Sequence, residues 1–427
     1  MRRATRPALG LFTGAAARAG YLSTADQALI SLSNFAAGIY LARLIDPTQF
    51  GVYAVGFLLF HFVGAIQEGL ILQPLSTLGA VMPADAFRRY VSETALFQLL
   101  LAGITAAGAW AAGTFLTRLG NDTAGPTLAG LWFLLLVWQP QEFIRRLFYP
   151  RGVIQRSVWN TAVASGMRLV VLWWMGTHGR LTGVAGLNAI AWGALAAIPL
   201  GIWQTRSLWT VRGLDPAQTW RKNWSFGKWV LGGMLATWGS LEVYPILAAG
   251  LISFAAAGAY RALQSVVAPV HVLMAALDPY LTPRAARVYQ VGSRRALART
   301  LRLALLILGI PILGYLVLAA SLAEPALRLL YDTKYLAYAA ALPLICLQYA
   351  LWFLYFPLQV GLKAMRTTRP IFWAHALAIL SMFTVGIWAI GRWGLYGAIG
   401  GQALNVLITG AVLWFAWMRP GAPAASA

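Results

Sequence analysis

The sequence predicts an all-α polytopic membrane protein with about twelve transmembrane helices in two pseudo-symmetric six-helix lobes and with both termini in the cytoplasm. A low charge content, a succession of apolar segments and a weak internal repeat lead to this prediction. Of the 427 residues, 59% are hydrophobic and 11% are charged, whereas soluble domains carry about 25% charged residues. Lipid is therefore the expected solvent for most of this chain.

Twelve apolar segments are long enough to cross a bilayer, which takes about 20 mainly apolar residues in a helix. The fourth segment is the least regular, because Gln139, Gln141 and Glu142 interrupt its end. We expect the spans at 21–42, 50–73, 93–116, 126–144, 158–176, 183–203, 228–250, 258–281, 301–321, 336–359, 371–391 and 395–417.

The distribution of basic residues sets the orientation of these spans. With the N-terminus in the cytoplasm, 25 of the 33 Lys and Arg residues lie on the cytoplasmic side and seven on the other side, while Arg168 alone lies mid-helix. This asymmetry is the positive-inside pattern of membrane proteins, so the net charge of +21 does not indicate a nucleic-acid partner. We expect an inner-membrane protein with a basic cytoplasmic tail at 1–20 in place of a cleaved signal peptide.

An internal repeat divides the chain into two lobes. The pattern L-I-x5-G-x-Y occurs at Leu44–Tyr53 after the first span and again at Leu251–Tyr260 after the seventh, 207 residues later. Paired six-helix halves are common in secondary transporters, whose substrates bind between the halves. The predicted division is a lobe at 21–203, a cytoplasmic linker at 204–227, a second lobe at 228–417 and a C-terminal tail at 418–427.

Polar residues follow one face of the eighth span. Ionisable groups at membrane depth are costly unless they face a cavity or a partner, so they are candidate functional residues. The two charged ends of this stripe would also suit interfacial anchors. Its members, at helical spacing, are Arg261, Gln264, His271 and Asp278.

The first two spans carry a second group of candidates. Gln27 and Asn34 share one face of the first span, and Asp26 lies beside its start. Glu68 lies near the cytoplasmic end of the second span. Such residues suit either a cavity or simple helix packing, because small and amide side chains also hold membrane helices together.

Arg168 is the charged residue at the middle of the fifth span. A guanidinium there needs a water-filled cavity, a carboxylate from another helix or an anionic ligand. Glu68 and Glu242 are the possible carboxylate partners. His375 in the eleventh span is interpreted as packing. The single cysteine, Cys346, excludes an internal disulfide, and the sequence has no catalytic motif, metal-binding pattern or cofactor site.

Two stretches resemble polysaccharide flippases of the multidrug, oligosaccharidyl-lipid and polysaccharide exporter superfamily. The first is S-x-x-N-F at 31–35, followed by Leu41-Ala42-Arg43, Pro47, Phe50 and Gly51 in the register of that family. The second runs from Tyr260 through Pro279 to 283–286. We expect Pro47 to stop the first helix and Gly51 to permit a tight turn into the second.

The resemblance implies a flippase of the O-antigen or exopolysaccharide type, a transporter and not an enzyme. Its substrate would be an undecaprenyl-diphosphate-linked oligosaccharide, moved across the bacterial inner membrane by alternating access during polysaccharide or lipopolysaccharide biosynthesis. Arg168 and Arg261 would bind the diphosphate, with Gln264, His271, Gln27 and Asn34 along the substrate pathway. Asp26, Glu68, Glu242 and Asp278 would pair charges or carry coupling H⁺ or Na⁺.

Three other functions are alternatives to a polysaccharide flippase. A multidrug cation exporter of the same superfamily shares the twelve helices, but a guanidinium at mid-helix does not suit cationic substrates. A peptidoglycan lipid flippase of this superfamily would usually have fourteen helices. A membrane glycan polymerase or ligase would usually carry a large periplasmic loop; such an enzyme is instead a possible partner of this chain.

Overall fold

A computed structural model describes residues 15–365 and 367–419, apart from the side chains of 15–19 and of a few residues within helices, among them Asp278. Every regular element in this described part is helical, as the fold class predicts. Most of the predicted terminal tails, 1–20 and 418–427, lies outside the described residues. The cytoplasmic location of the termini stays a prediction.

The described helices coincide with the twelve predicted spans. Most helices extend beyond their predicted spans at one or both ends, because hydropathy marks the lipid-facing part of a helix and not its polar ends. The fourth and tenth helices instead begin five and six residues inside their predicted spans, after a short helix and a 3₁₀ turn. The first ten are α1 (Ala15–Leu44), α2 (Pro47–Gln67, continued by a π-helical turn Glu68–Leu72 and by Gln73–Gly79), α3 (Ala84–Arg118), α4 (Leu131–Arg146, after the short helix Ala124–Ala129), α5 (Ile154–Thr177), α6 (Gly183–Thr205), α7 (Pro216–Leu241, continued by Val243–Leu251), α8 (Phe254–Val291), α9 (Arg294–Ser321, before the short helix Ala323–Tyr331) and α10 (Leu342–Ala364, after the 3₁₀ turn Leu336–Ala341).

The last two spans meet at Gly394. Helix Arg369–Ser381 continues through a π-helical turn, Met382–Gly386, into helix Ile387–Met418. Within this run Gly394 has φ 55° and ψ −128°, a left-handed conformation that glycine adopts without steric cost. We therefore divide the run into α11 (369–393) and α12 (395–418), in agreement with the predicted break after residue 391.

Hydropathy separates the helices into two groups. Six stretches of the described chain are long and apolar enough to cross a membrane, and the two parts of α7 taken together would add a seventh. The helices α1, α4, α5 and α8 are not among them, and each carries polar residues that line the cavities described below. The six stretches are Pro47–Gly79, Ala84–Arg118, Gly183–Thr205, Arg294–Ser321, Leu336–Ala364 and Arg369–Met418.

The chain forms two compact units, here called unit 1 (through Leu235) and unit 2 (from Ala236). In unit 1, α1 packs on α5, α3 on α4, and α6 on α4 and α5; in unit 2, α10 packs on α8, α9 and α12. The start of α7 belongs to unit 1, where Tyr90 on α3 donates to Asn223 (2.7 Å) and Thr219 donates to Glu93 (2.5 Å). The two-lobe fold is thus as predicted, while the exact lobe and linker boundaries stay predictions.

The internal repeat has the same local structure in both units. Pro47 is the first residue of α2, and Asp46 caps this helix by accepting from the backbone N–H of Thr48 and Gln49. Ser253 caps α8 in the same way by accepting from a backbone N–H three residues later. Proline suits the first helical position because it has no N–H to leave unpaired. The predicted turn at Gly51 is wrong, since Gly51 is a buried helical residue of α2.

One close helix crossing gives a stability prediction. A Cβ added at Gly69 would lie 2.9 Å from the Cα of Leu231 on α7. We expect Gly69→Ala to lower the free energy of unfolding by about 1–3 kcal/mol, because the backbones must separate. Gly232→Ala, one residue beyond Leu231, meets nothing within 4 Å and should be neutral or slightly stabilising. Thermal unfolding of both variants in detergent checks this, and equal shifts would contradict it.

Candidate functional site

A cavity in unit 1 has about 880 Å³ of space that protein atoms do not occupy, part of it open to the surroundings of the protein. It lies among α1, α2, α4, α5 and α6, and it brings together the predicted residues Gln27, Asn34 and Arg168. The arginines Arg145 and Arg146 at the end of α4 also line it.

Arg168 on α5 lines this cavity without a carboxylate partner. Its side chain is 5% exposed. One Nη atom donates to Asn34 Oδ1 (2.5 Å) and the other to the Tyr53 hydroxyl (3.2 Å), while its Nε has no hydrogen-bond partner. No ion pair to Arg168 occurs within residues 15–365 and 367–419. The cavity therefore contains a guanidinium whose charge is not neutralised by direct contact with an acid.

Asp26 is the centre of a polar cluster at one end of the same cavity. Its side chain is fully buried, and it accepts hydrogen bonds from Arg145, Thr161, Ser157 (2.9 Å) and Tyr149 (2.6 Å). Burial raises the pKa of Tyr149, which lies in the connection after α4, so its hydroxyl stays protonated and donates. Four donors satisfy this carboxylate completely, as a buried charge requires.

The cluster continues along the end of α4. Arg145 also donates to Glu142, and Arg146 pairs with Glu142 and with Glu68, each at 3.0 Å. Sequence alone assigns Arg145 and Arg146 to a cytoplasmic segment after the fourth span, but α4 continues through both residues. The carboxylates Asp26, Glu68 and Glu142 are thus paired with Arg145 and Arg146. Arg168 lies apart from this cluster, because it is two helical turns, about 10 Å, along α5 from Thr161, which donates to Asp26.

Amide side chains explain why the fourth span is irregular. Gln139 donates to Thr105 on α3 (2.7 Å), and Gln141 donates to Asn160 on α5 (2.6 Å). Gln67 on α2 donates to the backbone carbonyl of Gln139 (2.8 Å). Hydrogen bonds between helices satisfy polar groups that lipid cannot. These residues therefore face the interior of unit 1, and a hydropathy profile registers them only as an interruption.

A smaller cavity in unit 2 has about 400 Å³ of space that protein atoms do not occupy, part of it open to the surroundings of the protein. The predicted residues Gln264 and His271 on α8 line it, as does Glu242 between the two parts of α7. Arg261 is near enough to Glu242 and His271 for electrostatic interaction, although it does not line the cavity. The side chain of Asp278 lies outside the described residues. The cavity is completed by Gln348, Tyr349, Trp352, Gln402 and Val406.

His375 is the counterpart of Arg168 in the internal repeat. Its position follows Arg168 by 207 residues, the offset that relates Tyr53 to Tyr260. His375 Nδ1 lies 2.7 Å from the hydroxyl of Ser240 on α7, as Arg168 contacts Asn34 on α1. In each unit the first helix thus contacts a buried, nitrogen-containing side chain on the fifth helix, which is Arg168 on α5 and His375 on α11. The sequence interpretation of His375 as a packing residue omits this correspondence.

Comparison with solved structures identifies the fold. The chain is similar to an inward-facing multidrug resistance MATE family transporter of the MOP superfamily, with a TM-score of 0.72 and 14% identity over 91% of this chain and 93% of that one. It is also similar to the lipid II flippase MurJ in an inward closed conformation, with a TM-score of 0.69 and 12% identity over 93% and 87%.

A third similar structure is a MOP superfamily transporter from Pyrococcus furiosus, described as having a binding pocket of reversed polarity, with a TM-score of 0.63 and 14% identity over 97% of this chain and 98% of that one. No family model and no curated protein matches the sequence. The chain therefore has the two-lobe helical fold of these multi-pass membrane transporters.

Proposed function

We propose that this chain is a flippase that moves an undecaprenyl-diphosphate-linked oligosaccharide across the bacterial inner membrane by alternating access, coupled to H⁺ or Na⁺. The observation that carries the proposal is Arg168, a buried guanidinium in the lining of the unit 1 cavity that makes no ion pair with a described carboxylate. A diphosphate supplies the anionic oxygens that such a group binds most strongly. The fold, which is similar to that of a lipid II flippase, supports a lipid-linked substrate.

The lining of the unit 1 cavity suits this substrate in other respects. Besides Arg168, it presents the amides of Gln27 and Asn34 and the imidazole of His61. These groups donate and accept hydrogen bonds, as sugar hydroxyls require. Arg145 and Arg146 line the same cavity together with Glu142, but both are paired with acids, so Arg168 is the guanidinium in this lining that is left for a phosphate.

A multidrug cation exporter is the second candidate, because a MATE family transporter has the same fold. A site for organic cations needs a carboxylate that is available to the ligand. The three acids at the end of the unit 1 cavity do not meet this condition: Asp26 and Glu142 pair with Arg145, and Glu68 pairs with Arg146. Arg168 makes no ion pair with a described acid, whereas these three acids are paired with arginines, and this difference favours an anionic substrate.

Transport by the purified full-length protein in vesicles separates the two candidates. We expect it to accelerate transbilayer movement of a fluorescent short-chain prenyl diphosphate that carries one N-acetylhexosamine, and not to move ethidium. A pH gradient and a sodium gradient, applied in turn, test the coupling. Ethidium transport without movement of the diphosphate probe would overturn the proposal. Synthesis of glycan polymer from the probe would indicate an enzyme instead.

A further inference from the structure

We propose that the unit 2 cavity is a saccharide subsite, in which the amide oxygens of Gln264 and Gln348 accept hydrogen bonds from sugar hydroxyls beside the indole ring of Trp352. The subsite deepens the proposed function, because it assigns the glycan of the substrate to a particular set of side chains. Its ligand would be a neutral pyranose.

Two buried acceptors in the cavity have no partner. Gln264 is 8% exposed and Gln348 is 5% exposed, and the Oε1 atom of each makes no hydrogen bond within the described chain. An unsatisfied buried amide costs about 1–3 kcal/mol, so such groups are rare in native structures unless a ligand or water completes them. Both atoms accept, and a ligand that completes them must donate, as a hydroxyl does.

An aromatic wall lies beside these acceptors. Gln348 and Trp352 are four residues apart on α10, which places them on one face of the helix. The Trp352 ring centroid is 5.3 Å from His271 and 5.7 Å from Tyr349, which meets it edge-on. Trp352 is itself only partly buried. The axial C–H face of a pyranose is apolar and fits an indole face, while the ring hydroxyls point outward to polar neighbours.

Charge restricts the ligand further. Glu242 lines the cavity and Arg261 is close enough to interact with it, so both signs of charge are present at this end of α8. Because Glu242 and Arg261 offset each other's charge, this end of the cavity does not favour an ion of either sign. A neutral sugar ring meets this condition.

Saturation-transfer NMR on the full-length protein in nanodiscs tests the subsite. The probes are methyl β-D-glucopyranoside and its 2-acetamido counterpart, with methyl cyclohexane-carboxylate as an apolar reference. We expect saturation transfer to at least one of the two glycosides and not to the reference. Gln348→Leu and Gln264→Leu should each weaken the binding about fivefold, because each removes one acceptor, and Trp352→Ala should abolish it.

The matched control is Trp388→Ala, since Trp388 is 60% exposed and lies outside the cavity on α11. This variant should bind the sugar as the parent does. Thermal unfolding identifies any variant that does not fold. If Trp352→Ala does not fold, the two Gln→Leu variants test the subsite without it. No saturation transfer with the parent, or unchanged binding in all three cavity variants, would overturn the subsite. Movement of the diphosphate probe in the same preparation reports on the proposed function separately.

Discussion

Arg168→Gln is expected to reduce movement of the diphosphate probe roughly ten- to hundredfold. Charge-assisted hydrogen bonds of the Arg168 guanidinium to phosphate oxygens contribute about 1.5–3 kcal/mol, and glutamine keeps only a neutral donor. Arg168→Lys should retain part of the activity, because it keeps the charge but loses the planar fork that binds two oxygens at once. Initial rates in vesicles, at matched protein content, measure the effect.

The same substitution should leave stability unchanged or increase it. Arg168 is buried without a carboxylate, and burying such a charge opposes folding. Glutamine is neutral, and a buried amide that lacks a partner opposes folding less than a buried charge does. Arg180→Gln serves as the control, since Arg180 is exposed beyond the end of α5 and its loss should not change transport. A fall in the unfolding temperature that parallels the loss of transport would assign Arg168 a structural role instead.

Arg145→Met is expected to lower the unfolding temperature by roughly 3–10 °C. Removing one partner of a buried ion pair costs about 3–5 kcal/mol, because the remaining charge stays buried. Here the loss leaves the fully buried Asp26 without its cation and deprives Glu142 of one of its two. The midpoint of thermal unfolding in detergent, followed by tryptophan fluorescence, measures the shift.

Two further variants test whether the unpaired buried charge causes this loss of stability. Asp26→Asn combined with Arg145→Met should recover more than half of the lost stability, because Asp26 is then neutral and Glu142 retains Arg146. Arg146→Met should cost less than Arg145→Met, since the Arg146 side chain is 28% exposed and water compensates part of its charge. Equal losses for Arg145→Met and the double variant would show that packing, and not charge, sets the stability of the cluster.

The sequence predicts the positions of the helices well, because the requirement for about 20 apolar residues acts on each segment separately. It fails where a helix continues into polar residues, as α4 does through Arg145. A hydropathy profile stops at the first charged residue and cannot register that Asp26, 119 positions away, accepts from Arg145. One signal was available: Glu142 precedes Arg145 and Arg146 by three and four residues, the spacing of ion pairs within a helix.

The candidate site was also predictable in part. The location of Arg168 in the interior follows from the cost of a charge in lipid, and the structure agrees. Its partners do not follow from the sequence. The sequence suggests Glu68 or Glu242, whereas in the structure Arg168 donates hydrogen bonds to Asn34 and Tyr53. Glu68 instead contacts Arg146, a pairing between the ends of α2 and α4 that no local pattern reveals.

The low hydropathy of α5 has a consequence for how the chain enters the membrane during synthesis. An arginine at the centre of a helix opposes insertion by the translocon by about 2.5–3.5 kcal/mol, and α5 is not among the stretches apolar enough to span on their own. Asn34 on α1, made well before α5 emerges, can bond to that arginine only after both helices are together. Insertion of α5 should therefore depend on the preceding helices, and a truncated chain that begins at α5 should integrate poorly.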